Sequence, residues 1–169
     1  MIKDSGDRTT FSTGAVRDIH EEKGRCDLMP LREMALSLRN GTLNFLSQFK
    51  SVGVEALYNS LVSFAYAYPV GNRYDGAEES ERLAAMFLDV SVHFKEGAEK
   101  YGEDNWQKGI PIHCYIDSAV RHLLKFIAGW SDEPHHRAFV WNILCAIWTM
   151  ENKPEMDDYT EGRGNDGKQ

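Results

Sequence analysis

Two carboxylates lie three residues apart in the stretch FKEGAEKYG, as Glu96 and Glu99. At about 100° per residue in a helix, side chains at this spacing lie about one turn apart on one face, where they can share a cation. The pair falls opposite the apolar stripe of the same helix, so both carboxylates would point away from the core. Glu96 and Glu99 are therefore candidate metal ligands and catalytic carboxylates. The alternative is a solvated ion pair between Glu99 and Lys95.

A polar ladder follows in the helix predicted over residues 113–128, with Asp117, Arg121 and Lys125 at steps of four. Arg121 and Lys125 lie one turn apart and can hold phosphate oxygens, and Lys125 is a candidate catalytic cation. The alternative is a solvated face of salt bridges. His122 lies at the margin of the buried stripe, where a histidine is either a metal ligand or a satisfied core residue.

The third helix of this region is predicted to begin at Ser131 as N-cap, with Asp132 and Glu133 in its first turn. From residue 139 to about residue 150, apolar side chains cover almost every direction around it. A helix that is apolar all round is buried. We therefore predict that it is the central helix of the domain.

One line of that helix differs because its side chains are small or polar. The line consists of His135, Ala138, Asn142, Ala146 and Thr149, at steps of three and four. A buried asparagine without a partner costs about 1–3 kcal/mol, so Asn142 requires either a wet pocket or a hydrogen bond at a close helix crossing. The pocket makes Asn142 a candidate substrate contact, and His135 and Asp132 are candidate metal ligands.

Between the first two helices lies the loop GEDNWQKGIP, which is too rich in Gly, Pro and Asn for regular structure. It carries Trp106, a large apolar ring that can stack on a nucleobase, with Asn105 beside it. Both are candidate substrate contacts. The alternative for Trp106 is a cap on the core at the helix junction.

Residues 11–29 show no sustained periodicity, but they collect Arg17, Lys23 and Arg25 among glycines and acids. Basic side chains beside a glycine can bind a phosphate together with backbone N–H groups. We predict a functional N-terminal loop in which these three residues contact the substrate. The alternative is a polar arm with balanced charges.

The remaining chain has the pattern of a helical scaffold. Apolar residues at steps of three and four predict helices over about 31–40, 42–50, 54–67 and 78–101. The sequence contains no alternating run between hairpin turns and no internal repeat. We therefore predict an all-α, compact multi-helix domain over residues 1–152 and a polar, acidic, mobile tail over residues 153–169.

The composition narrows the class of protein. With 169 residues, 42% of them hydrophobic, and no apolar run of ~18 residues, the chain suits one globular domain and not a membrane protein. Cys26, Cys114 and Cys145 are widely spaced, which favours neither a disulfide framework nor a zinc site, so the cytosol is the expected compartment. The net charge of −7 argues against binding a nucleic-acid polymer, whereas divalent cations can bridge an acidic site to a mononucleotide.

Five separated blocks carry a resemblance to a known family. They read FSTGAVRD, KGRCDLMP, EGAEKYGEDNWQKGIP, YIDSAVRHLLKF and DEPHHRAFVWN, in this order over roughly residues 11–145. Together they resemble a phage and bacterial family of dATP/dGTP diphosphohydrolases, similar in outline to the MazG-like all-α nucleotide pyrophosphohydrolases. The resemblance implies MazG-like helical packing, hydrolysis of a purine deoxynucleoside triphosphate to the monophosphate and pyrophosphate, and Mg²⁺ or Mn²⁺ as cofactor. It also implies a homo-oligomer, dimer or tetramer, in the cytoplasm, or in the host cytoplasm if phage-encoded.

One departure concerns the metal ligands. The MazG-like signature EExxE followed by ExxD is absent, and the nearest comparable places hold Arg121, His122 and Lys125 and then residues 135–139. The metal ligands proposed above therefore depend on residue chemistry alone. Two alternatives stay open: a helical protein that binds nucleotides or a partner without turnover, and an HD-type phosphohydrolase, for which the chain lacks an adjacent His-Asp pair.

Overall fold

A computed structural model describes residues 8–18, 53–69 and 78–159. Within these ranges lie four helices, α1 (Val54–Ala65), α2 (Glu79–Tyr101), α3 (Ile112–Ile127) and α4 (His135–Asn152). The same ranges contain two 3₁₀ turns (Asn105–Lys108 and Pro154–Met156) and two strands, β1 (Arg8–Thr10) and β2 (Val16–Asp18). The predicted all-α class is confirmed. None of the described helices combines the length and the apolar character that a bilayer span needs.

The small hairpin of β1 and β2 corrects the prediction that the chain has no strand. The two strands pair antiparallel, with Thr10 opposite Val16. Phe11 donates its N–H to the carbonyl of Ala15 at 2.9 Å, and Gly14 adopts a φ of 79°, which other residue types rarely adopt. Strands of three residues are too short to show an alternating pattern, so the hairpin carries no periodic signal.

The core lies between α3 and α4, which form the most extensive helix pair. α4 buries side chains on nearly every side, among them Phe139, Val140 and Ile143. α1 packs against α4 through Phe64, whose ring centroid lies 4.5 Å from that of Phe139. The prediction that this apolar helix is central is confirmed.

α2 matches the helix predicted over residues 78–101 to within one residue. At its start, the Glu81 carboxylate accepts the backbone N–H of Glu78 at 3.0 Å, as part of a capping box. At its end, Gly102 adopts a φ of 92°, which stops the helix. Met86 and Val90 are fully buried on the core side of this helix.

The start of α4 differs from the prediction. The sequence predicts Ser131 as N-cap, but the helix begins at His135, directly after Pro134. A proline disfavours helical backbone in the residue before it, so Glu133 cannot continue a helix that begins upstream. Asp132 and Glu133 are consequently loop residues, whose side chains approach His135.

The packed domain continues beyond residue 152, the boundary expected from the sequence. Asp158 accepts the backbone N–H of His113 at 3.1 Å and also binds its ring Nδ1, so it caps the start of α3. Tyr159 is buried against the core. Several predicted features lie outside the described residues, namely the helices over 31–40 and 42–50, Lys23, Arg25 and the tail from 160 onward.

Asp89 joins α2 to α4 and to the end of α1. Its carboxylate accepts two hydrogen bonds from Arg137, at 2.6 and 2.9 Å, and one from the Tyr68 hydroxyl at 2.8 Å. The hydrogen-bonded Arg137 guanidinium holds the pKa of Asp89 below its ordinary value of 3.8. Because the folded-state pKa is depressed, the resulting stabilisation is present above that ordinary value and is lost as the pH falls through the folded-state pKa.

Replacing Asp89 with Asn should lower the free energy of unfolding at neutral pH by about 1–3 kcal/mol, because Arg137 loses its charged acceptor. Urea denaturation measures this difference, which should shrink on acidification as the wild-type carboxylate becomes protonated. The matched control is Glu151→Gln, an acid-to-amide change at an exposed position of α4. An Asp89→Asn protein as stable as wild type at neutral pH would contradict this role.

Candidate functional site

A cavity of about 590 Å³ opens beside the hairpin, between α2, the α2–α3 loop, α3 and α4. Basic side chains line it from three elements, namely Arg17 from β2, Lys95 from α2, and Arg121 and Lys125 from α3. The aromatic rings of Trp106 and Trp141 form part of its wall. A cavity of this size, with aromatic walls and a few polar groups, suits a small-molecule ligand.

Arg17 is anchored to the helices by polar and aromatic side chains. Its Nη2 donates to Asn142 Oδ1 at 2.9 Å and to Ser118 Oγ, and its guanidinium lies 5.4 Å from the centroid of the Tyr115 ring. Its Nη1 is buried and has no acceptor among the described residues. Arg17 as a whole is half-buried and lines the cavity, so its guanidinium is a candidate partner for an anion that enters. The structure thus brings Arg17, predicted as a substrate contact, into the cavity wall.

Asn142 combines the two arrangements that the sequence leaves open. Its Oδ1 accepts from Arg17, and its Nδ2 donates to the carbonyl of Ala138 at 2.7 Å, so the amide is paired internally. Asn142 also lines the cavity. Its main effect is therefore to position Arg17.

Asn105 and Trp106, the predicted base contacts, both have structural partners. Asn105 is buried, and its amide accepts the N–H of Val16 at 3.2 Å and donates to the carbonyl of Val16 at 3.1 Å. Both polar atoms of the Asn105 side chain therefore hydrogen-bond the hairpin to the α2–α3 loop. The predicted contact with a nucleobase would need one of these atoms. Trp106 packs edge-on against Phe94 and Trp148 at the helix junction. Both residues also line the cavity, where Trp106 offers an aromatic wall.

Glu96 and Glu99, predicted as metal ligands on α2, have different surroundings in the structure. Glu99 pairs with Lys95 at 3.4 Å, and these side chains are 64% and 75% exposed respectively. Glu96 is half-buried, and its charge acts on His93 and Arg137. The two positions differ by about 60° around the helix axis, which is enough to direct one carboxylate to solvent and the other towards Arg137. Neither glutamate is among the described residues that line the cavity.

Two histidines and a carboxylate meet where α3, the α3–α4 loop and α4 come together. The Nδ1 atoms of His122 and His135 lie 3.0 Å apart, and Glu133 Oε1 lies 3.5 Å from each of them. His135 is fully buried, whereas His122 and Glu133 are half-buried and line the cavity. Within the described part of the chain, these three residues form the group whose donor atoms lie close enough together to hold a metal ion. We call them the His-His-Glu cluster.

Asp132, predicted as a metal ligand, lines the cavity next to the cluster. Its Oδ1 lies 2.8 Å from His135 Nε2, and its Oδ2 lies 3.6 Å from Lys125 Nζ. The hydrogen bond with His135 lowers the pKa of Asp132 to about 2, so the group is a carboxylate at neutral pH. A carboxylate at this position accepts a hydrogen bond from the Nε2–H of His135. The Nδ1 atom of a neutral His135 then presents a lone pair towards His122.

Burial, followed by the charge of His135, lowers the pKa of His122 to about 2. The His122 ring is therefore neutral, which is the form that binds metals. Glu133 is the cluster member that the sequence analysis missed, because it was placed in the first turn of a helix. The available signal was Pro134, which excludes Glu133 from the helix and leaves its side chain close to His135.

Arg121 and Lys125 are the cationic part of the cavity wall next to the cluster. Arg121 donates to Asp117 at 2.6 Å, and these side chains are only 16% and 5% exposed, so this step of the ladder is not a solvated face. Lys125 lies 3.9 Å from Glu133 and 5.0 Å above the centroid of the Trp130 ring. Both cations are placed to bind an anionic ligand in the cavity.

Residues 83–159 match the family model described as "dATP/dGTP diphosphohydrolase, N-terminal". The matched segment contains nearly all of α2, all of α3 and α4, and the whole His-His-Glu cluster. The match supports the resemblance for the three sequence blocks that lie within this segment, which is similar to that family. The name of the family designates hydrolysis of dATP and dGTP. No curated protein and no solved structure matches the chain.

Arg17→Gln should weaken the binding of inorganic triphosphate by about tenfold or more, because a cation of the cavity wall is lost. Isothermal titration calorimetry with tripolyphosphate measures the change. The matched control is Arg82→Gln, because Arg82 stacks on Tyr66 and is not among the cavity residues. Equal affinities of wild type and Arg17→Gln would remove Arg17 from the anion site.

Proposed function

We propose that the protein hydrolyses dATP or dGTP to the nucleoside monophosphate and pyrophosphate, with a divalent cation, Mg²⁺ or Mn²⁺. The observation that carries the proposal is the position of the His-His-Glu cluster beside a cavity lined by Arg17, Arg121 and Lys125. The segment that contains the cluster matches a family model named for dATP/dGTP diphosphohydrolases. In this reaction the oxygen of water forms a new bond to phosphorus. The bond across the α–β anhydride breaks, pyrophosphate leaves with its electron pair, and the protons pass to solvent.

The phosphate end of the substrate requires local positive charge, because the protein as a whole has a net charge of −7. Arg17 lines the cavity, and Arg121 and Lys125 add two cations on adjacent turns of α3. Guanidinium groups bind phosphate oxygens in pairs, and an ammonium group steadies charge that develops on a leaving pyrophosphate. Lys125 is our candidate for that second role, because it borders the cluster at 3.9 Å from Glu133.

The divalent cation would be held by His122, Glu133 and His135, and when bound it supplies Lewis acidity and neutralises phosphate charge. The side chains of the cluster fix its position next to the basic wall. His122 and Glu133 face the cavity, while His135 is fully buried behind them. The reacting phosphate would then lie between the cluster and the cations of α3.

The base end of the substrate would lie towards the α2–α3 loop. Tyr101, Trp106 and Trp141 contribute rings to the cavity, and a purine has a larger stacking surface than a pyrimidine. Glu103 and Asp104 line the same region and can accept hydrogen bonds from the amino group of adenine or of guanine. These features support both purine substrates.

We also propose that the protein forms a homo-oligomer, dimer or tetramer, as MazG-like enzymes do. Phe87, Leu88 and Val92 are exposed on α2, with Leu88 at 74%, and association would cover this apolar surface.

Incubation with each common ribo- and deoxyribonucleoside triphosphate, in Mg²⁺ or in Mn²⁺, should release monophosphate and pyrophosphate from dATP, dGTP or both. Chromatography of the products distinguishes this cleavage from release of orthophosphate or of triphosphate.

Lys125→Gln should lower kcat by at least about 100-fold, because charge stabilisation in the cavity is lost. Lys108→Gln is the matched control, since Lys108 is exposed and is not among the cavity residues.

The proposal fails if no deoxynucleoside triphosphate is hydrolysed with either cation. It also fails if the cleavage occurs at another phosphate, or if Lys125→Gln retains full turnover.

A further inference from the structure

We infer that the His-His-Glu cluster is a site for a first-row transition-metal dication, such as Mn²⁺ or Zn²⁺, and that it discriminates against Mg²⁺. We assign Asp132 as the positioning residue of this site. The inference rests on the proposed function for its catalytic meaning, whereas the capacity to bind metal follows from the geometry of the side chains.

The three donor atoms already have the spacing of a coordinated set. His122 Nδ1, His135 Nδ1 and Glu133 Oε1 form a triangle with sides of 3.0, 3.5 and 3.5 Å. Nitrogen and oxygen ligands lie about 2.0–2.2 Å from a transition-metal dication, so neighbouring ligand atoms are roughly 3–3.5 Å apart. A dication can therefore enter the cluster without a large rearrangement of these side chains.

A proton shared between the two imidazoles is the competing explanation for their close approach. His135 donates its Nε2–H to Asp132, so its Nδ1 can accept a hydrogen bond from the Nδ1–H of His122. That shared proton would leave the third group, Glu133 Oε1, without a direct bond to either ring at 3.5 Å. A dication at the centre satisfies all three donors at once.

The type of donor determines the type of metal. Mg²⁺ requires oxygen ligands in near-ideal octahedral geometry and gives up its water reluctantly, whereas imidazole nitrogen suits zinc and other transition metals. Two imidazoles and one carboxylate also leave open positions in the coordination sphere, as catalytic zinc sites do. Because His122 and Glu133 line the cavity, those open positions would face a bound phosphate.

Asp132 fixes the orientation of the buried ligand. Its hydrogen bond to His135 Nε2 at 2.8 Å turns Nδ1 towards the metal position. Partners of this kind set the tautomer of a metal-bound histidine and raise its basicity, and their removal typically lowers metal affinity about 10–100-fold.

Isothermal titration calorimetry of the metal-stripped full-length protein, without nucleotide, tests the site with MnCl₂, ZnCl₂ and MgCl₂. Wild type should bind Mn²⁺ and Zn²⁺ at least tenfold more tightly than Mg²⁺. His122→Gln and Glu133→Gln should lose at least 100-fold in Mn²⁺ affinity, and Asp132→Asn about 10–100-fold. His136→Gln is the matched control and should bind as wild type does, because His136 faces Asp89 at 3.5 Å, away from the cluster.

Pulsed electron paramagnetic resonance of Mn²⁺ bound to wild type gives a readout that does not depend on the stability of any variant. Nitrogen hyperfine coupling from imidazole is the expected result. Absence of that coupling, Mg²⁺ affinity equal to that of Mn²⁺, or unchanged Mn²⁺ affinity in folded His122→Gln and Glu133→Gln would each overturn the inference.

The two proposals fail separately. Metal binding at the cluster without nucleotide turnover would refute the proposed function and keep the metal site. Nucleotide turnover in Mg²⁺ without nitrogen coupling to bound Mn²⁺ would refute the metal site and keep the proposed function.

Discussion

The backbone restriction imposed by Pro134 is the constraint on which the site depends. A proline keeps the preceding residue out of the helical conformation, so α4 begins at His135 and not at Ser131. The carboxylates of Asp132 and Glu133 therefore turn back towards the first residue of the helix instead of pointing along a helical turn. Because His135 is fully buried, its two nitrogens are held between these neighbours and α3, which fixes the cluster in place.

The site also requires a positively charged cavity wall in a protein whose net charge is negative. α3 supplies cations on one side of the cavity, and the small hairpin delivers another from a distant part of the chain. Asn105 hydrogen-bonds both the N–H and the carbonyl of Val16, and Asn142 and Ser118 accept hydrogen bonds from Arg17. Polar residues that look like ligand contacts in the sequence thus serve to place one guanidinium. The cluster and this basic wall together give a strongly anionic ligand a favourable site in a chain with a net charge of −7.

The helices could be predicted from the sequence because their apolar spacing is regular over long stretches, as at Val90 and Phe94 in α2. The apolar character of α4 was likewise enough to predict its central position. Tertiary information decided the rest. The spacing of apolar residues in α2 predicts that Glu99 lies on a polar face. The spacing does not tell whether that face meets solvent or the cavity. The contact between His122 and His135 is made between two helices, so the spacing of residues within either helix does not predict it.

The most direct test of the account is the position of a bound dication. Anomalous diffraction at the manganese edge, from crystals grown with MnCl₂, locates the ion without reference to activity. We expect a peak about 2.0–2.3 Å from His122 Nδ1, His135 Nδ1 and a carboxylate oxygen of Glu133. A manganese peak bound by Glu96 or Glu99, or by any group of ligands without His122 and His135, would contradict it.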